Sequence, residues 1–84
     1  METKLSIRIE VLKDGFVHVE IDRQFVIGTT VTPAQTWGIA LGPDSNLDEP
    51  LPCLWDGDTE QTPILLAEKF PAEYAYLKAK FGRV

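Results

Sequence analysis

Lys4-Leu5-Ser6-Ile7-Arg8-Ile9-Glu10-Val11-Leu12-Lys13-Asp14-Gly15-Phe16-Val17-His18-Val19-Glu20-Ile21-Asp22 is the stretch that decides the fold. Leu5, Ile7, Ile9 and Val11 alternate with Lys4, Ser6, Arg8 and Glu10, the period of a strand with one face buried. Val17, Val19 and Ile21 alternate with His18, Glu20 and Asp22 in the same way, and Lys13-Asp14-Gly15 between the two runs is hairpin chemistry. Parity then selects the register. A two-residue Asp14-Gly15 turn opposes Val11 to His18 and Ile9 to Glu20, which throws the two apolar rows onto opposite faces. A three-residue loop opposes Leu12 to Phe16, Val11 to Val17, Ile9 to Val19 and Ile7 to Ile21, and both rows then share a face. The second register is the expected one, with a type I turn closed by Gly15 in a left-handed bulge. Arg8, Glu10, His18 and Glu20 fall on the other, polar face.

Downstream of this hairpin, Asp22-Arg23-Gln24 reads as a turn. Phe25, Ile27, Thr29 and Val31 alternate with Val26, Gly28 and Thr30, giving a third strand with Gly28 as a bulge or a close backbone approach. The expectation is an α+β fold: an antiparallel three-stranded meander over residues 4–12, 16–22 and 25–31, with one or two helices on one face. Thr32-Pro33-Ala34-Gln35 has the pattern of a capping box and favours a short helix from Pro33 to Leu41, ended by Gly42-Pro43. The rival is a strand through Trp37-Gly38-Ile39-Ala40-Leu41, since Gly38 weakens a helix by about 1 kcal/mol against Ala. Thr62-Pro63 repeats the cap pattern and opens Ile64 to Phe70, where Pro71 forces a kink or a restart. Residues 71–81 carry the clearest helix, with Glu73 in its first turn, Lys78 and Lys80 in its last and Gly82 at the stop. Phe70, Tyr74, Leu77 and Phe81 form its apolar stripe, and the buried face of the meander is the surface for it to cover.

At 84 residues and 9.4 kDa the chain is expected to be one small globular domain spanning residues 1–84, with an internal acidic loop over 42–61. Within that loop Leu51, Cys53, Leu54 and Trp55 interrupt the polar run and return to the core as a short edge segment, where Pro52 rules out a central strand. The hydrophobic content of 44% excludes a disordered chain. No apolar run approaches the roughly 20 residues of a membrane span, and the first residues open no signal-peptide pattern. One cysteine, Cys53, excludes an internal disulfide and points to a reducing, cytoplasmic compartment.

Charge is distributed unevenly around the net −5. Residues 24–68 hold seven acids (Asp44, Asp48, Glu49, Asp56, Asp58, Glu60, Glu68) and no Lys or Arg, which excludes a direct footprint for a nucleic-acid backbone. Two readings compete: a solvated acidic loop that serves solubility, and an acidic face that docks on a basic partner surface such as a nucleic-acid-binding groove.

Signals for chemistry are thin. Asp56-Gly57-Asp58-Thr59-Glu60 opens like a calcium loop but has Gln61 where that loop needs Gly and Ala67 where it needs Glu. His18 stands among Glu10, Glu20 and Leu12 with no second histidine, so a surface histidine is expected in place of a zinc site. Cys53 lies among apolar and acidic residues, the wrong setting for a thiolate. Ser6 and Ser45 sit in no nucleophile elbow, and no glycine-rich phosphate loop is present. No catalytic residue, cofactor or metal is expected. The residues singled out for partner binding are Asp44, Asp48, Glu49, Trp55, Asp56, Asp58 and Glu60 in the acidic segment, and Tyr76 off the stripe of the last helix. Tryptophan is enriched at interface hot spots, and Trp37 and Trp55 both lie in or beside the acidic segment, with burial in the core as the plainer role for each. The functional expectation is a non-catalytic protein-binding module, an inhibitor or accessory factor of the kind found in phages and mobile elements, acting on a protein with a basic surface. The alternative is an assembly component that self-associates, as a homodimer for example, through an open sheet edge.

Overall fold

The alternation in the first part of the chain produces two long paired strands, β1 (Glu2–Val11) and β2 (Val17–Ile27). This computed structural model describes residues 2–82. Ile7 lies opposite Ile21, Ile9 opposite Val19 and Val11 opposite Val17, the register that parity selects. Val17, Val19 and Ile21 are fully buried, because β2 is the central strand and is covered on its apolar face. The turn differs from the expected type I form. Gly15 is left-handed (φ 80°), and so is Asp14 (φ 62°), while the Leu12 amide donates to the Phe16 carbonyl at 2.8 Å. Aspartate is one of the few residues that tolerates this conformation.

β2 does not stop at Asp22. It continues straight through Asp22-Arg23-Gln24 and absorbs Phe25 to Ile27, so the third strand is not 25–31. Gly28 (φ 62°) sits in the turn that follows, leading into the two-residue strand β3 (Thr30–Val31). The favoured helix over residues 33–41 is replaced by a strand, β4 (Gln35–Leu41), which pairs antiparallel with β2 from Arg23↔Gln35 to Val17↔Leu41. Two forces override the capping pattern. Thr32 Oγ1 accepts from the Phe25 amide at 2.9 Å, a bond across the hairpin in place of a helix cap. Trp37, Ile39 and Leu41 alternate onto the same apolar face as the β2 row, and Gly38 on the other face lies over the His18 ring. The sheet is therefore antiparallel throughout, with β2 flanked by β1 on one side and by β3 and β4 on the other.

A second, two-stranded sheet packs beneath it: β5 (Leu51–Cys53) with β6 (Thr62–Ile64). Pro52 pairs with Pro63, which is tolerable only where neither residue is asked for an N–H, the non-hydrogen-bonded position of an antiparallel pair. Thr62-Pro63 thus belongs to a strand and does not open a helix. Helix α1 is only Leu66–Lys69, and α2 runs Pro71–Lys80. Phe70 and Leu77 are buried, and Tyr74 and Phe81 pack against the core, so the stripe does cover the sheet. Gly82 adopts φ 73° after α2, and its amide bonds to the Ala79 carbonyl. Leu47, Leu51, Cys53, Trp55 and Ile64 complete the core between the layers.

Candidate protein-binding surface

The acidic segment is anchored at Trp55. This side chain is 3% exposed, and its indole Nε1–H donates to the Ile21 carbonyl at 3.0 Å. The expectation of Trp55 as a surface anchor is corrected accordingly: apolar burial and a buried acceptor on β2 draw the ring into the core. Arg23 lies over the same ring at 4.7 Å and over Phe25 at 4.8 Å. Its guanidinium donates to Asp58 Oδ2 at 3.0 Å and to Gln35 Oε1 at 2.6 and 3.0 Å. Asp58 Oδ2 also accepts from the Trp55 amide. The hydrogen bond from Arg23, opposed by partial desolvation and helped by the Trp55 amide, holds the Asp58 carboxyl below its usual range. Gln35 reaches on to the Asp56 carbonyl at 2.9 Å. The last cation before the long acidic stretch therefore ties the loop to the sheet.

This sorts the acids. Asp58 is committed inward to Arg23, and Asp48 accepts a hydrogen bond from the Tyr74 hydroxyl on α2. Neither is a free docking charge, contrary to expectation. Asp44, Glu49, Asp56 and Glu60 are exposed, and among the described residues their carboxylates join no ion pair or hydrogen bond. Tyr76 is 48% exposed on α2, off the stripe as expected. The structure does not gather all these residues at one point; it distributes them along the loop and the last helix.

What the residue pattern alone did not bring out is a trough. One depression of about 520 Å³ is lined by Glu49, Pro50, Pro52, Gln61 and Pro63. A second, of about 270 Å³, shares Glu49, Pro50 and Pro52 with it and reaches Ile39, Ala40 and Leu41 on β4. Together they form a shallow channel from β4 to the paired prolines, with Glu49 common to both halves. The Pro50-x-Pro52 spacing and Pro63 were its only signal, and their pairing depends on the β5–β6 contact.

The remaining candidates are His18 and Cys53. His18 sits across from Glu10, with Nδ1 3.9 Å from Glu20 Oε1. Cys53 is fully buried, and desolvation pushes its thiol from the ordinary 9.0 up to about 11. Among the described residues no three His, Cys, Asp or Glu side chains come together as a metal site, and no helix is long and apolar enough to cross a membrane. No protein-family model, curated protein or solved structure matches this chain.

Proposed function

We propose that this chain is a non-catalytic protein-binding module, a small acidic inhibitor or accessory factor that docks on a basic surface of a partner protein. The observation that carries the proposal is the trough with Glu49 in both halves, in a loop whose other free carboxylates are Asp44, Asp56 and Glu60. Open carboxylates beside proline-rich apolar walls favour a segment that brings Lys or Arg together with apolar contacts. Prolines keep their backbone geometry on binding, so little ordering entropy is lost there. A partner that uses the same basic surface for nucleic acid would be blocked by this occupancy. The buried single cysteine suits a reducing, cytoplasmic setting.

The test is affinity capture from a source-cell lysate at low and at high salt, repeated with Asp44→Asn, Glu49→Gln, Asp56→Asn and Glu60→Gln combined. The proposal expects a basic protein that is captured at low salt, released at high salt and lost with the combined variant. Capture that is unchanged by the four substitutions overturns it.

A further inference from the structure

The two outer strands of the main sheet are not alike. The edge of β4 runs beside the trough and carries Gly38. β1 has no such cover from pairing: among the described residues it pairs with β2 alone. It is ten residues long and holds no proline, glycine or bulge, and its register with β2 is unbroken from Glu2↔Val26 to Val11↔Val17. Exposed edges of this kind are normally blunted by a proline, a bulge, an inward charge or charged side chains, and of these β1 has only the last, Glu2, Lys4, Arg8 and Glu10 on its polar face. The core-facing row of β1 is instead Leu5, Ile7, Ile9 and Val11; Leu5, Ile7 and Ile9 are only half-buried, while Ile21 and Val19, the β2 partners of Ile7 and Ile9, are fully buried.

We propose that β1 is a dimerisation edge, on which a second copy of this chain pairs β1 antiparallel to β1 with Ile7 opposite Ile7 on the two-fold axis. Charge selects this register. Centring on Ile7 keeps every residue from Thr3 to Val11 paired. It sets Leu5 against Ile9 on the core face, and on the polar face it sets Lys4 against Glu10 twice, once on each side of the axis. Among the described residues neither Lys4 nor Glu10 joins an ion pair within its own chain. Moving the centre by one residue toward the N-terminus opposes Lys4 to Arg8 and Glu2 to Glu10. Moving it by one the other way stacks Arg8 on Arg8. Centres at Leu5 or Ile9 shorten the ladder. An even register sum also keeps apolar rows on one face and matches outward-pointing backbone groups, so the two sheets join into one. An edge contact of this length lies at the small end of specific interfaces, and a micromolar dimer is the expectation.

This inference uses residues apart from the acidic trough, so each proposal fails on its own. Sedimentation velocity of the full chain from low micromolar to near-millimolar concentration is expected to show reversible dimers. Lys4→Glu and Glu10→Lys are each expected to weaken the dimer by about tenfold, because each turns two attractions into two repulsions. The two reversals combined swap the charges and are expected to recover the dimer, with circular dichroism confirming the fold in every variant. A monomer at all concentrations overturns the proposal. A dimer indifferent to both single reversals, or one that the double reversal does not recover, overturns it equally.

Discussion

Replacing Trp55 by phenylalanine distinguishes a core role from a surface role for the acidic segment. Phenyl keeps an aromatic face under Arg23 but removes the Nε1–H that donates to the Ile21 carbonyl at 3.0 Å. An acceptor stripped of its partner inside a core costs about 1–3 kcal/mol. The three heavy atoms lost from a site 3% exposed take roughly 40 Å² of apolar burial with them, about 1 kcal/mol at 25 cal/mol/Å². The expected loss is therefore about 2–4 kcal/mol, against a total stability of about 4–12 kcal/mol for a chain of this length. With a urea slope near 1 kcal/mol/M, the midpoint falls by about 2 M or more. Urea denaturation followed by far-ultraviolet circular dichroism reads this directly. A midpoint within about 0.5 M of wild type refutes the reasoning. Loss of partner capture at unchanged stability does so too, since it would return Trp55 to the surface.

Asp14 has φ 62°, a conformation that disfavours β-branched residues, and Asp14→Val is expected to cost about 1–2 kcal/mol. Thermal melts of the variant, compared with Asp14→Gly, which is free of that strain, check it. Cys53 predicts an alkaline limb in stability. Its folded thiol titrates at about 11 and the unfolded one at 9.0, so its contribution is fully present below pH 9.0 and is lost as the pH rises to about 11. Urea midpoints across that window should fall more steeply for wild type than for Cys53→Ala, and equal slopes would refute the assignment.

The hairpin was legible because parity is a local property: a slip of one residue puts Val17, Val19 and Ile21 on the wrong face, and no other part of the chain is needed to see it. The continuation of β2 was not, because Asp22-Arg23-Gln24 has the composition of a turn. Its polar groups become acceptable in a strand only through distant partners. Asp22 takes Arg8 at 3.1 Å and the Thr36 hydroxyl at 2.7 Å, Arg23 takes Gln35 and Asp58, and Gln24 Nε2 donates to the Thr32 carbonyl. The same pairing explains why a capping pattern at residues 32–35 yields a strand. Thr32 and Gln35 are the cap and the return residue of a box on paper, yet in the fold each is engaged by β2. Helix nucleation is costly, and a ready strand edge with an apolar row to match outcompetes it.

The acidic surface follows the same logic. Seven carboxylates along a stretch without Lys or Arg look equivalent in sequence, and the cation that divides them lies outside that stretch, at Arg23. Once Arg23 has taken Asp58 and the Tyr74 hydroxyl has engaged Asp48, Glu49 is the one acid among the seven that lines the proline trough. If the proposed docking role holds, docking strength and loop stability reside in different acids. Neutralising Asp58 should loosen the loop through Trp55 and Arg23, whereas neutralising Glu49 should weaken a basic partner and leave the fold as it is. A single salt titration confounds the two, and the separate variants resolve them.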